Sequence, residues 1–562
     1  MHEDACSRFP VLIAGGGSVG LSCALFLARH GISSLLVERH SGLSIHPRAR
    51  ALTVRTMELL REVGLEREVQ EAGSVLAKNR YILTVDTLAG DEIQRVIHNR
   101  FVIPPSLSPT TLGLCAQDKL EPLLIAALRK YDADLRFGTE LVSFEENTSG
   151  ITATLVEHAS GRSKTVQADY LIGTDGARSS IRSRLGIPTQ GPAKPLAYQM
   201  SIYFRADLSH LVQGREFILC FVHHPGDQGL LVAVNNTDEW IFIFSYEPER
   251  GESFTVEQAR ERVRLAVGLP QLEVEVLSTL PWEVTSRVAE HFQQGRVFLA
   301  GDAAHVIAPA GGYGMNIGIE DAHNLAWKLA LVIQGTAGST LLATYEPERH
   351  PHAQGIAQQA ELRGIEVINK NAYYKVDERN ELWVDDLLLM LGYKYRSQVV
   401  VLDLQLPDAT GKAGQGSASV EGNPSPFLES LNQLGSPGTR APHIWLEQQG
   451  KRISSLDLFG LHFVLLCGED GEAWREAAHA VARHFGLTLE SYRVGPTGHI
   501  LDPGEYWYAT YGITPAGATL IRPDGFVAWR SANMVQSPHE VLENVLAQLL
   551  DRACSSNWST HT

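Results

Sequence analysis

The sequence predicts an α/β protein: an amino-terminal dinucleotide-binding unit, an inserted and mainly antiparallel β-sheet, and a smaller α/β domain at the carboxyl end. Three observations predict it. A strand, glycine turn, helix and second strand follow one another from Val11 to Arg39; alternating β-rich runs fill about Pro188 to Trp282; and a Gly/Ser/Pro-rich stretch precedes another series of strands and helices. The expected boundaries are 1–187 and 285–403 for the two parts of the first domain and its helical region, 188–284 for the sheet, 404–442 for a linker and 443–562 for the last domain.

The apolar run Val11 to Ala14 reads as a buried strand, Gly15, Gly17 and Gly20 form a G-x-G-x-x-G turn, and Leu21, Ala24, Leu25 and Ala28 recur at helical spacing. Gly31 stops the helix, and a second apolar run ends at Glu38, about twenty residues past the glycines, where a ribose hydroxyl needs an acceptor. Gly15 permits the tight turn, Gly17 lets a pyrophosphate approach the backbone, and Gly20 lets helix and strand pack closely. The helix N-terminus, at Ser18 and Val19, offers free N–H groups and a partial positive charge. The same residues match the G-x-S-x-G turn of serine hydrolases, but that turn needs earlier strands and an upstream oxyanion loop, and only ten residues precede Val11.

A polar loop follows Glu38 and carries Arg39, Arg48 and Arg50, placed to meet phosphates or a second anionic nucleotide. Helical spacing covers Thr53 to Val63 and Gln117 to Lys130; Tyr81 to Val96 reads as a hairpin, and Leu135 to Glu157 as strands. A second turn, Gly173 to Gly176, joins an apolar strand to a short basic helix with Arg178, Arg182 and Arg184. In the β-rich stretch, Tyr203, Phe217, Phe221, Trp240, Phe242, Phe244 and Tyr246 are candidates for a wall facing a flat ligand, with half or more of them plain core by alternation. A third motif runs from a strand at Arg296 to Ala300 through Gly301 and Asp302 into the loop Pro309 to Gly314 and a long helix from about Asn316. Its acid can accept from a ribityl or ribose hydroxyl, and its loop and helix end can place N–H groups against a ring. Past the linker, the order strand, helix, strand, strand, helix reads as a separate α/β domain with a loose tail.

With 64 acidic and 48 basic residues and a net charge of -16, nucleic acid and anionic membrane are disfavoured as partners. Six scattered cysteines show no C-x-x-C and no metal-ligand spacing, so free thiols and no metal are expected. No amino-terminal targeting pattern and no membrane-length apolar run is found, and the expectation is a soluble, cytoplasmic protein.

Three motifs in this order, GGGSVG with Glu38, GTDG, and AGDAAH with GGYGMN and DAHNLAWKL, resemble the FAD-dependent aromatic hydroxylases, the single-component flavin monooxygenases. PGTRAPHIWL and LIRPDGFVAWR are similar to the phenol-hydroxylase-like branch that includes aromatic polyketide hydroxylases. The resemblance implies a Rossmann-like FAD domain, a β-sheet substrate domain and a thioredoxin-like carboxyl-terminal domain. It implies pyrophosphate contacts at Gly15, Gly17, Ser18, Val19 and Gly20, adenosine ribose at Glu38, and the ribityl chain at Gly301 and Asp302. Arg39, Arg48 and Gln117 lie near the cofactor by the same resemblance, Asp175 and Gly176 serve both FAD and NADPH (or NADH), and Pro309, Gly312, Gly314, Met315 and Asn316 surround the flavin ring. Arg48, Pro309 and Gly314 are the implied catalytic positions. The implied reaction is reduction of FAD by NAD(P)H, reaction with O₂ to a C4a-hydroperoxide, and hydroxylation of a phenolic, polycyclic substrate, by a monomer or homodimer. Two departures stand out: Ala308 replaces a proline of many relatives, and Cys467 is alone where dithiol chemistry needs a pair. No general base is singled out among His223, His224 and Tyr203. A Baeyer–Villiger oxygenase on the same fold and a flavin-binding protein without turnover are the alternatives.

Overall fold

Val11 to Ala14 are almost wholly buried and end the strand Ser7–Ala14, which occupies the middle of a mixed sheet. The computed structural model describes residues 7–79, 81–97, 102–224, 227–247, 254–370, 382–402 and 425–553. The main path of the first sheet runs Gln293–Gln294, Val297–Leu299, Ser163–Gly173, Ser7–Ala14, Ser34–Glu38, Asp134–Phe137, parallel throughout except at the Gln293–Gln294 edge. Helix Ser18–Arg29 packs on Gly314–Ile333 and Gln117–Leu128. Parallel strands covered in this way are buried on both faces, and this is why they read as continuous apolar runs.

The inserted sheet has seven strands in the order Glu275–Val284, Ala197–Arg205, Glu239–Ser245, Asp227–Ala233, Leu219–His224, Tyr81–Val85, Glu92–Ile97. The hairpin expected at Tyr81 to Val96 forms, but it joins this sheet through a parallel pairing of Tyr81–Val85 with Leu219–His224. The sheet therefore draws on chain outside 188–284. A helix, Val256–Val267, also interrupts the β-rich stretch; it starts at a Thr255/Gln258 capping box, ends at Gly268 and buries Ala259, Val263, Ala266 and Val267. Phe217, Trp240, Phe242 and Phe244 pack in the same core as this helix, so four of the seven candidate wall aromatics are core. Alternation turns Tyr203, Val232, Val234 and Ile241 to a separate cluster.

The carboxyl-terminal sheet runs Leu489–Arg493, Phe463–Cys467, Ala518–Ile521, Val527–Ser531, with helices Glu472–Phe485 and Pro538–Leu550 packed on each other. Residues 404–424 of the expected linker, residues 1–6 and the tail from 554 lie outside the described residues. The rest of that linker is not loose. Lys394 bridges Thr439, Arg440 bridges Phe526, and Thr439 and Arg440 are fully buried. Its glycines serve close packing: a Cβ on Gly438, at φ +88°, would stand 2.4 Å from the Tyr395 carbonyl oxygen.

Buried ion pairs dock this last domain. Arg440 donates to both carboxylate oxygens of Glu58 on helix Val54–Glu62 and to the Leu107 carbonyl. Arg522 donates to both oxygens of Glu348, at 2.6 and 2.8 Å, and Lys328 Nζ reaches the same carboxylate at 2.8 Å. Burial opposes ionisation of Glu348, but Arg522 and Lys328 hold its carboxyl well below the usual range. Arg440→Met should lower stability by about 3–5 kcal/mol by leaving Glu58 without its principal partner, and Glu58→Met added to it should restore much of the loss. Urea unfolding midpoints of the three proteins check this.

Candidate active site

The first two glycine turns are bonded to each other. Gly15 takes φ +117°, and a Cβ there would stand 2.2 Å from the Thr174 carbonyl oxygen; a Cβ on Gly20 would stand 1.9 Å from the Gly15 oxygen. Thr174 Oγ1 donates to the carbonyls of Ala14 and Gly15 at 3.0 and 2.9 Å. Gly17 differs: nothing lies within 3.4 Å of its would-be Cβ, and the nearest atom is Glu121 Oε1 at 3.8 Å. The backbone before helix Ser18–Arg29 is thus accessible where its N–H groups end. Ser18 Oγ and Gln117 Nε2 both donate to Glu121 Oε1, at 3.0 and 2.7 Å. Burial raises the Glu121 carboxyl above its usual range despite these donors. Glu121 escapes a motif reading, yet it lies one turn beyond Gln117 on the same helix face.

Glu38 ends its strand with Oε2 accepting the Gly16 N–H at 2.7 Å and Oε1 accepting the His40 N–H at 2.8 Å. Burial opposes its charge, but these bonds hold the carboxyl below the usual range, so it is a ready acceptor. Arg39 and Arg48 are exposed beside it in sequence. Asp302 keeps an exposed side chain, yet desolvation by the atoms packed around it raises its carboxyl, while His305 and Arg48 act the other way. Asp175 Oδ2 accepts from the Ser180 and Ile181 N–H groups at 2.8 and 3.1 Å, capping the short basic helix, while Oδ1 is buried without a hydrogen-bond partner in the structure. Gly176, at φ +84°, has open space around it.

Gly301 and Gly318 make way for Val19: a Cβ on either would come within 2.8 or 2.6 Å of Val19 Cγ2. Helix Gly314–Ile333 thereby approaches the first helix closely and starts two residues earlier than expected. Asp321 on that helix accepts from the Gly301 N–H at 3.1 Å, from His305 Nε2 at 2.6 Å and from Arg349 Nε at 2.7 Å. Asn316 turns its side chain to the main chain, accepting from Thr53 N at 2.8 Å and donating to the Ala51 and Gly312 carbonyls at 2.9 and 2.7 Å. Only its backbone is left to face a ligand. Tyr313 Oη donates to Asp386 at 2.7 Å. Pro309 is exposed, Gly312 N–H donates to its carbonyl at 3.0 Å, and Gly314 and Met315 are partly accessible. The Ala308 N–H donates to Ser286 Oγ at 3.1 Å, a bond that proline cannot make, so this loop is held by a hydrogen bond in place of a ring.

The loop after Glu38 is pinned to the inserted sheet. His46 Nδ1 meets Ser278 Oγ at 2.6 Å and packs edge-on against Tyr203, and Arg50 Nη1 donates to the Ala233 carbonyl. Burial, then Arg48, lowers His46 to about 4, so the imidazole is neutral. Burial, then Glu239, pushes Tyr203 up to about 12, which makes its hydroxyl a donor at neutral pH and no general base. His223 and His224 lie at the hairpin end of their strand, opposite Gln228 and Asp227.

A cradle open at Gly17, an ionised acceptor at Glu38, an accessible acid at Asp302 and a glycine loop at the start of a helix fit a long dinucleotide that ends in a flat ring. Such features suit a protein that binds a dinucleotide cofactor. The comparisons agree: residues 8–360 match the model of an FAD binding domain, and residues 435–553 match that of the aromatic-ring hydroxylase C-terminal domain. The chain is 40% identical to a tetracenomycin A2 monooxygenase-dioxygenase of Streptomyces glaucescens, over 98% of each chain. It is also 40% identical to a 4-methyl-5-nitrocatechol 5-monooxygenase of a Burkholderia species, over 97% of this chain and 98% of that one. A crystal structure of aklavinone-11 hydroxylase with FAD and aklavinone superposes with TM-score 0.84 at 35% identity, covering 98% of this chain and 100% of that one. The chain belongs to the FAD-dependent aromatic-ring hydroxylases, which are monooxygenases.

The glycine geometry separates two roles. Gly17→Ala should leave the melting temperature of the apoprotein unchanged while weakening FAD binding at least tenfold, whereas Gly20→Ala should destabilise the apoprotein itself. Thermal unfolding without FAD, alongside FAD titration followed by flavin fluorescence, distinguishes them.

Proposed function

We propose that this enzyme consumes NAD(P)H and O₂ to hydroxylate a flat, phenolic, polycyclic substrate of the polyketide type. One observation supports the reading: Tyr203, Val232, Val234 and Ile241 form a buried apolar cluster, with partly buried Leu230 and Ile243 packed on it, and the Ala233 carbonyl within that strand is bonded by Arg50, whose neighbour Ala51 lies near Gly312. A broad apolar wall with few polar groups reads shape more than pattern of donors. The relatives named for tetracenomycin and aklavinone chemistry support it. The nitrocatechol relative, at the same 40% identity, favours a second reading, a monocyclic phenol. Product structure from a panel of phenols and hydroxylated anthraquinones, with NADPH oxidation followed in parallel, decides between them. Full coupling with monocyclic phenols and none with the anthraquinones would sink the polycyclic reading.

In this proposal Gly15, Gly17 and Gly20, with the N–H groups at Ser18 and Val19, take the pyrophosphate, and Glu38 takes the adenosine ribose. Asp302 takes the ribityl chain beside Gly301; Gln117, held by Glu121, and Arg39 and Arg48 line the cofactor; and the turn at Asp175 and Gly176 serves FAD and NAD(P)H. The backbone from Pro309 to Asn316 lies against the ring, and the positive end of the helix stabilises negative charge there. FAD, when bound, supplies hydride acceptance and activation of O₂. The chain's own part is to position the ring systems, exclude water and hold charge.

The carboxyl-terminal domain is a thioredoxin-like scaffold with no dithiol function in this reading: burial pushes the Cys467 thiol up to about 12, and the position three residues on is Asp470. Among the described residues Cys23, Cys115, Cys220 and Cys467 are buried free thiols, which suits the reducing, cytoplasmic setting of this reading. Among the described residues no helix is long and apolar enough to cross a membrane.

Arg48 is the residue assigned to reduction, because it is exposed at the cleft and interacts electrostatically with Asp302 and Glu121. Arg48→Ala should lower the rate of flavin reduction by NADPH at least tenfold and change affinity for a phenolic ligand little. Anaerobic stopped-flow with and without ligand reads both quantities; equal reduction rates in the two proteins remove Arg48 from that step.

A further inference from the structure

One carboxylate beside the inserted sheet has no partner among the described residues. Three acids of the sheet itself are matched: Glu239 and Glu275 pair with Arg205 at 3.0 and 3.2 Å, and Glu283 meets Arg287 at 3.6 Å. On helix Tyr345–Lys370, Glu346 pairs with His291 and Glu348 with Arg522. Glu361, on the same helix, is partly buried and has no such partner; burial raises its carboxyl, and no cation offsets the shift. A carboxylate drawn partly out of water without a cation or donor is stabilised by a group that supplies one.

The register of the sheet shows what this part of the helix adjoins. Trp282 stands opposite Gln199, and its Nε1 donates to Ser201 Oγ at 2.9 Å. Gln199, Ser201 and Tyr203 alternate to one face, so Trp282 shares the face of Tyr203 and of the apolar cluster around it. Trp282 also packs against a second cluster, that of Val284, Ala308 and Ala360. A Cβ on Gly364 would stand 3.4 Å from Leu196 Cδ1 and 3.9 Å from Ala310 Cβ. Ala308 and Ala310 flank Pro309, so helix Tyr345–Lys370 closes one end of the space between that loop and the sheet. Glu361 stands on this turn of the helix, beside Ala360 and three residues before Gly364, on the neighbouring side. The cations nearest in sequence are already taken, Arg287 by Glu283 and Arg363 by Asp386.

We propose that Glu361 sorts substrates by charge: it accepts a hydroxyl or ammonium group carried on the outer part of the ring system and turns away a carboxylate. This rests on the polycyclic reading above, in which the substrate lies between the loop and the sheet. A hydroxyl donates to the carboxylate and an ammonium pairs with it, whereas a carboxylate on the substrate sets like charges together where water is partly excluded. The small side chain of Ala360 and the bare backbone of Gly364 leave room for the group beside it. A precursor that ends in an acid therefore has to lose that charge, by decarboxylation or esterification, before this enzyme takes it.

The probes are three 1,8-dihydroxyanthraquinones that differ only in the group at position 3: chrysophanol with a methyl, aloe-emodin with a hydroxymethyl and rhein with a carboxylate. Their binding to the FAD-loaded enzyme at neutral pH is read from visible difference spectra. The parent should bind aloe-emodin at least tenfold more tightly than rhein. Glu361→Gln should bring that ratio to within about threefold by strengthening the binding of rhein, with chrysophanol affinity, FAD content and melting temperature unchanged. Glu361→Lys should reverse the preference. An aloe-emodin to rhein ratio that is the same in parent and Glu361→Gln overturns the proposal and leaves the polycyclic reading standing. Equal losses of affinity for all three in Glu361→Gln make the residue a structural one and overturn the proposal too. If none of the three binds to the parent, the polycyclic reading fails and the proposal fails with it.

Discussion

A single buried carboxylate, that of Asp321, fixes the relation among the pieces of the cofactor site. Its three partners come from the Gly301 turn, from His305 just beyond it and from Arg349 on the following helix. Burial disfavours the charge, but His305 and Arg349 hold the carboxyl below its usual range, so the ion persists where no water reaches it. Through it the Gly301 turn that carries Asp302, the residue His305 and the helix Gly314–Ile333 are bonded to one another. Arg349 extends the connection to the Ile317 carbonyl and the Tyr395 hydroxyl, close to the pairs that seat the last domain. Hydrogen bonds thus run without a break from the Gly301 turn through Asp321 and Arg349 to Tyr395.

What was legible in the sequence is what is local. The turn at Gly15, Gly17 and Gly20, the end of the strand at Glu38 and the helix from Gln117 each need only a few neighbouring residues to state their conformation. The ion pairs were not legible, because Arg440 lies 382 positions from Glu58 and Arg522 lies 174 from Glu348. Motifs such as DAHNLAWKL and LIRPDG could be read as signatures, but not as the two halves of one network. Composition misled at 425–442, where glycine and proline make tight turns and read as slack.

In the site, residue type was a better guide than assigned role. Asn316 was expected beside the flavin; its amide satisfies three backbone groups, which leaves that role to its backbone. Glu121 carries no motif and still orients Ser18 and Gln117 at the mouth of the first glycine turn. The loop from His46 to Arg50 could be placed near the cofactor from sequence order, but its attachment to the inserted sheet is a tertiary fact with no local trace.

The parallel pairing of Tyr81–Val85 with Leu219–His224 also dictates a schedule for the growing chain. Synthesis proceeds at roughly 5–20 residues per second, so the early hairpin leaves the ribosome on the order of ten seconds before the strand it must join. During that interval one edge of the hairpin lacks its backbone partners, a state that invites pairing with other chains. Cutting the inserted sheet out at 188–284 would bare the facing edge, that of Leu219–His224, permanently, so a chimera that transplants this sheet must carry the hairpin with it.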